Sequence, residues 1–291
     1  MTGSPRPLHL RRILDLWVRL PSLPERPEVA LGLDHLLSGF EGSHEPSGRR
    51  VLQVGVRERP EGWQVGFRET HPGAGDGREE DPGVAWSASF TPLRASELEH
   101  RIVAEALERA AGRLFIHGAG IVVGGGTWVV SGPSGSGKTT LAMGLWSRGL
   151  SILGDDVCPI DAVSLRPEAL PRALHTDGTY PPELLNALPA PPPEMPEGHR
   201  PFPGPAPMEP PLLAGLIVPV IDGPEEGAIE PLSQAEVVHH LVRQLIRTEG
   251  FDFPHAVRTM AQVGRTMTGA RVRASTVDGM LSRVLQVMGR A

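Results

Sequence analysis

Apolar and polar positions follow several distinct rhythms along this chain. From Ser96 to Ala111 the residues Leu98, Ile102, Ala106 and Ala110 fall on one helical face. Ser96 and Glu99 have the spacing of a capping box, and Gly112 follows as a stop. Ser233 to Arg247 repeats the design, with Ser233 and Glu236 as its box, and a last helix is expected from about Thr276 to Met288. Leu8 to Leu20 also has helix-like apolar spacing, interleaved with Arg11, Arg12 and Arg19. It predicts a docked amphipathic helix, with a membrane-surface helix as the alternative.

Other stretches read as strands. Arg50 to Arg57 and Gly62 to Glu69 form two of them, joined by a turn at Pro60-Glu61, and Val84 to Phe90 forms a third. His71 to Pro82, rich in Gly, Asp and Glu, predicts an exposed loop. Further on, Leu114 to His117, Ile121 to Val123 and Thr127 to Ser131 are short apolar strands, with a turn at Gly124-Gly125-Gly126. A glycine-rich loop leads into a helix from about Lys138 to Arg148, closed by Gly149 and followed by a strand at Ser151 to Gly154. Leu212 to Ile221 predicts a buried strand and Ala270 to Ala274 a short one. Just before Leu212, Pro189 to Pro211 holds eleven of the 31 prolines and is restricted to extended, irregular backbone. It reads either as a flap over a site or as a plain surface loop. The pattern as a whole predicts an α/β protein with a smaller α+β N-terminal lobe over residues 1–112 and a larger unit over 113–291.

Composition narrows the partners. A net charge of -6 argues against nucleic acid, whose phosphate backbone calls for a basic face. The one cysteine, Cys158, excludes an internal disulfide, fits a reducing compartment and is expected as a small buried hydrophobe. The start of the chain lacks an apolar run suited to a signal peptide. The longest apolar stretch, Leu212 to Ile221, is too short to cross a bilayer and contains Pro219. A cytoplasmic protein without a membrane partner is expected.

The chemistry concentrates in one place. Gly132-Pro133-Ser134-Gly135-Ser136-Gly137-Lys138-Thr139 fits G-x-x-x-x-G-K-[ST], between an expected strand and an expected helix that continues with Thr140. Glycines let the backbone curl so that successive N–H groups face phosphate oxygens, and the helix start adds its positive dipole end. The lysine ammonium then reaches the β- and γ-phosphates of ATP, and the threonine hydroxyl ligates Mg²⁺. Among 28 basic residues Lys138 is the single lysine, and it stands where the motif requires one. Asp155 and Asp156 follow the next strand. Adjacent carboxylates repel unless a cation or proton lies between them, which a magnesium–nucleotide complex supplies. One can hold metal while the other takes a proton from an attacking hydroxyl. His117 ends the strand Leu114 to His117, near the strand that leads into the loop, where it could touch the acidic pair. His239 and His240, adjacent on a helix, face different directions and make no metal pair.

Ile116-His117-Gly118, the hairpin, Gly132 to Thr140, Gly149 and Asp155-Asp156 together resemble the C-terminal domain of HPr kinase/phosphorylase and its relatives. That fold is similar to the nucleotide core of phosphoenolpyruvate carboxykinase. The resemblance covers roughly residues 113–165 and extends more weakly over Pro171-Arg172-Ala173-Leu174-His175 and the helix after Ser233. It implies ATP-dependent phosphorylation of a serine-type hydroxyl, with Asp155 as base, Asp156 as the metal-side carboxylate and His117 orienting Asp155. Arg172 and His175 are further candidates for contact with phosphate or acceptor. The sequence lacks the glycine-rich signature segment that follows the acidic pair in the bifunctional enzymes. The acceptor implied is therefore a protein, a peptide or a small hydroxylated metabolite rather than HPr itself, and a homo-oligomer is compatible with the resemblance.

Two other readings compete. A nucleotide-hydrolysing switch of the guanine-reading type needs N-K-x-D, for which no second lysine exists, and the LSGGQ-like helix of ABC ATPases is missing. An ATP-binding interaction module without catalysis would use the proline-rich segment and the N-terminal lobe for partner contacts.

Overall fold

Nine residues, Leu10 to Val18, fold back on themselves to begin the first sheet. In the computed structural model, which describes residues 10–21, 23–40, 42–43, 50–70, 85–90, 92–176, 180–204, 206–221, 228–249 and 251–289, they form β1 (Leu10–Ile13) and most of β2 (Leu16–Arg19), not a helix. The chain reverses at Leu14, whose φ of 57 breaks any helical course. Ile13, Leu16 and Val18 are then fully buried, and the β-branched members suit a pleated surface. Helix α1 (Pro27–Leu36), opened by a proline in its first turn, was not apparent in the pattern. After β3 (Gly42–Ser43), β4 (Val51–Arg59) and β5 (Gly62–Thr70) make the expected hairpin, and β6 (Ala85–Phe90) follows. The loop expected at His71 to Pro82 lies outside the described residues. The sheet order is β3-β1-β2-β4-β5-β6.

Helix α2 (Ala95–Arg109) buries the expected face of Leu98, Ile102 and Ala106 against this sheet and α1. Its cap differs from the expectation. Arg94 is the N-cap, no side chain caps the first turn, and Glu99 turns inward. The core of the N-terminal half also takes in Phe115, Val157 and Leu170 from beyond residue 112.

The second half opens with β7 (Arg113–His117), β8 (Ala119–Val123) and β9 (Gly126–Val130), then α3 (Lys138–Trp146), β10 (Ser151–Gly154) and β11 (Val157–Asp161). Next come β12 (Leu174–His175), α4 (Pro182–Ala187), β13 (His199–Arg200), β14 (Leu213–Val220) and β15 (Ala228–Leu232). Helix α5 (Gln234–Arg243), β16 (Leu245–Ile246), α6 (Phe253–Gly264), β17 (Thr268–Arg273) and α7 (Val277–Val287) complete it. Helix α5 carries the expected reciprocal box between Ser233 and Glu236 but ends early, because Leu245 and Ile246 pair with β7.

The main sheet runs β10-β8-β9-β14-β17-β15, with β9, β14 and β17 parallel. β11, β7 and β16 form a three-stranded sheet, and β12 and β13 a two-stranded ribbon. The described residues thus make a mixed α/β fold of four sheets and seven helices. Helices α3 and α7 both pack on the main sheet and against each other, so closely that a Cβ on Gly144 would stand 2.6 Å from Leu281 Cδ1. Cys158 is fully buried, and burial pushes its thiol up to about 12. No described helix is long and apolar enough to cross a membrane.

Candidate functional site

β9 is central and buried along Thr127 to Val130, so where it ends the chain must leave the sheet. The Ser131 N–H makes the last ladder bond, donating to the Ile217 carbonyl at 2.9 Å. The backbone then curls through residues 132–137 into α3. Gly135 and Gly137 hold φ of 79 and 86, a left-handed region that only glycine enters readily. Gly137 is the N-cap of α3, and no side chain satisfies the first N–H groups of that helix. Ser136 Oγ is buried in the loop without a hydrogen-bond partner among the described residues. It lies so near Gly132 that a Cβ there would approach it to 2.8 Å.

Lys138 folds back over this loop. Its Nζ donates to the carbonyls of Gly132 at 3.0 Å and Pro133 at 3.2 Å. Burial lowers its pKa, while the carboxylates of Asp156 and Asp155 act in the opposite sense. One residue on, Thr139 Oγ1 donates to Asp155 Oδ2 at 3.1 Å.

The two aspartates sit in different surroundings. Asp155 is 6 % exposed, and burial, reinforced by repulsion from Asp156, pushes its carboxyl up to about 6. The Asp156 side chain is 53 % exposed. His117 Nε2 lies 3.3 Å from Asp156 Oδ1, and Arg172 Nη1 lies 3.7 Å from Asp156 Oδ2. Strand pairing fixes the histidine. β7 and β11 are antiparallel with His117 opposite Val157, and the Gly118 N–H donates to the Asp156 carbonyl at 2.9 Å. Ser131 Oγ in turn donates to the His117 carbonyl at 2.7 Å, which ties the histidine to the start of the loop. The pairing implied by the resemblance is therefore exchanged: His117 meets Asp156, and Asp155 turns away toward Thr139.

Arg172 is held from the N-terminal half. Its Nε and Nη2 donate to Glu99 Oε1 and Oε2 at 2.8 and 2.9 Å. Burial works to lower the guanidinium pKa, and the Glu99 hydrogen bonds and charge, with Asp156 and Asp155, bring it out raised. His175 lies three residues further on, in β12. β12 pairs with β13 so that His175 faces His199, their rings 4.6 Å apart. The Tyr180 hydroxyl donates to the His175 carbonyl at 3.1 Å. Burial lowers the pKa of His199, whose Nδ1 is 3.1 Å from the Glu197 carbonyl. The proline-rich segment thus supplies part of the wall, anchored by buried Met195 and Phe202.

Lys138, Thr139, both aspartates, His117, Arg172, Glu99, His175, Tyr180 and His199 line one cavity of about 890 Å³, bounded by Ser134, Gly135 and Gly137 to Thr140 on one side and by α2 on the other, with Ser136 buried behind the loop. Glu99, His199 and Tyr180 were missed in the sequence. Glu99 was disguised by its capping-box spacing, and the other two lie in loops without periodicity. His239 is exposed and His240 half-buried on α5, on different faces as expected.

No model of a known protein family matches this sequence, and comparison with curated proteins gives no match.

Chemically, the loop offers open backbone N–H groups, an orphaned hydroxyl and an ammonium, a set suited to an anion. Thr139 and Asp155 offer two oxygens to a hard divalent cation. Among the described residues no group of three or more His, Cys, Asp and Glu side chains is placed to hold a metal by itself. A magnesium ion here would need phosphate oxygens to complete its shell, as such ions commonly do.

Proposed function

We propose that this chain is an ATP- and Mg²⁺-dependent kinase of the HPr kinase type, acting in the cytoplasm. It transfers the γ-phosphoryl group to a hydroxyl of a protein, peptide or small-molecule acceptor. One observation carries the reading: Lys138, Thr139, Asp155 and Asp156 open onto a single cavity where a buried parallel strand turns through Gly132–Gly137 into α3. Neither a solvated Asp-Asp turn nor a simple glycine-rich helix cap would bring these four groups together.

The fit is testable residue by residue. The buried, unpartnered Ser136 hydroxyl and the uncapped start of α3 would receive phosphate oxygens. Lys138 would exchange its two carbonyl partners for the β- and γ-phosphates. Thr139 and Asp155, already in contact, would hold the metal side. When bound, Mg²⁺ would neutralise charge on the phosphate chain. Asp156 is the better placed proton acceptor, because it is the more exposed carboxylate and is held by His117 and Arg172. The two aspartates therefore exchange the roles implied by the resemblance.

The decisive experiment supplies γ-labelled ATP with candidate acceptors from the native extract, followed by mass spectrometry of whatever carries the label. Label on a hydroxyl, lost in Asp156→Asn while nucleotide binding persists, is the expected result. Fast acceptor-independent turnover would instead indicate a nucleotide-hydrolysing switch. Tight binding with neither turnover nor transfer would indicate an interaction module.

A further inference from the structure

Glu99 is a charged side chain, 6 % exposed, on a helix of the half that contributes nothing to the phosphate loop. Its partner Arg172 is 73 residues away and itself largely buried. Taking two charges out of water is costly, and an apolar pair of similar volume commonly serves stability as well or better. The pair calls for a reason other than stability.

Its geometry supplies one. Both carboxylate oxygens of Glu99 are used on Nε and Nη2, the fork-to-fork arrangement that fixes a guanidinium plane most firmly. The third nitrogen, Nη1, is left on the side of Asp156, in a residue that lines the cavity. It makes no hydrogen bond with any described residue, since Asp156 Oδ2 at 3.7 Å is beyond that range. Lys138, Asp155, Asp156 and Arg172 line the same cavity, with Arg172 Nη1 on the side of Asp156. A phosphoryl group held by Lys138 and bordering Asp156 would present an oxygen to Nη1.

We propose that Glu99 is a positioning residue, which holds Arg172 with Nη1 aimed at the site of the terminal phosphoryl group, so that α2 of the N-terminal half completes the nucleotide site. Arg172 then distinguishes a nucleoside triphosphate from a diphosphate. Glu99 touches no ligand and acts only through the guanidinium. This inference rests on the kinase reading above and gives the N-terminal half a part in it.

The test needs no acceptor. Calorimetry on the full chain compares MgADP with the magnesium complex of a non-hydrolysable β,γ-imido ATP analogue. The wild type should favour the triphosphate. Glu99→Gln and Arg172→Lys should each cut affinity for the analogue by about tenfold, the worth of one charge-assisted hydrogen bond. Affinity for MgADP should stay unchanged, which a general loss of structure would not allow. Should Glu99→Gln fail to fold, the double variant Glu99→Leu with Arg172→Met removes both buried charges. It should bind MgADP as the wild type does and show a preference for the triphosphate reduced by about tenfold, since Lys138 still meets the γ-phosphate. A triphosphate preference as large as the wild type's in a folded Glu99→Gln protein, or in the double variant, overturns the proposal. A wild type that binds MgADP but shows no triphosphate preference also overturns it and leaves the kinase reading standing. A wild type that binds neither nucleotide removes the kinase reading itself, and this inference with it.

Discussion

His117 Nε2 and Asp156 Oδ1 stand 3.3 Å apart, held there by the pairing of β7 with β11. An imidazole at that distance steadies the carboxylate and orients its second oxygen, which Arg172 approaches from the other side. For the proposed transfer, Asp156→Asn should abolish labelling of acceptor while MgADP still binds. His117→Ala should lower the transfer rate by about 10- to 100-fold with little change in nucleotide affinity, less than the roughly 10²–10⁴-fold that an acid–base group itself contributes, because the imidazole acts only through Asp156. Single-turnover kinetics beside equilibrium binding separates the two effects.

Lys138 should not be replaceable by arginine, although the chain uses arginine at every other basic position. Its ammonium is a compact charge set between two loop carbonyls at 3.0 and 3.2 Å, a space that a planar guanidinium does not share. Lys138→Arg and Lys138→Met should both weaken MgATP binding by about 100-fold or more, the cost of losing a buried charge contact to phosphate. Calorimetry checks the affinity, and circular dichroism checks that the fold is kept.

The pH dependence of Asp155 runs in two opposed senses. Its folded pKa, about 6, is raised above the ordinary aspartate value of 3.8. The unfolded chain therefore binds fewer protons between these values, and stability of the ligand-free protein should fall as pH rises from about 4 to about 6. Above that window, Asp155→Asn, which keeps the side-chain shape and removes the charge, should stabilise the ligand-free protein by roughly 2–3 kcal/mol. Magnesium-dependent nucleotide binding should move the other way. It should weaken as pH drops through about 6, because a protonated Asp155 no longer offers a full charge to the metal. Thermal melts of the free protein and titrations with MgADP across pH 5–8 test both signs.

Two loop glycines make a paired test of the cradle. Gly135→Ala meets open space at φ 79, whereas Gly137→Ala adds a contact at 2.9 Å with Ile221 Cδ1 at φ 86. Each should cost about 1–2 kcal/mol of stability from the left-handed backbone alone. Gly137→Ala should cost more and also push aside Ile221 at the rim of the cavity. Denaturant melts of the two variants rank them.

The sequence by itself determined the local pieces. The β4–β5 hairpin, the buried face of α2, the Ser233–Glu236 box and the glycine-rich turn into α3 are all consequences of near neighbours, where periodicity, capping and left-handed glycines act over a few residues. The same local rules misled wherever a distant partner won. Leu10 to Val18 became a hairpin because the first sheet and its covering helices bury Ile13, Leu16 and Val18. Glu99 left its apparent capping role because Arg172, 73 residues away, offered a bidentate ion pair.

The candidate site divides along the same line. Gly132 to Thr139 and the Asp155-Asp156 pair were legible as contiguous motifs. Which aspartate meets Thr139 and which meets His117 was decided by the register of β7 on β11. The placing of His199, Tyr180 and α2 around the cavity depended on the β12–β13 ribbon and on packing between the two halves. Contacts of that kind arise only when the chain closes on itself, so no spacing within the sequence encodes them.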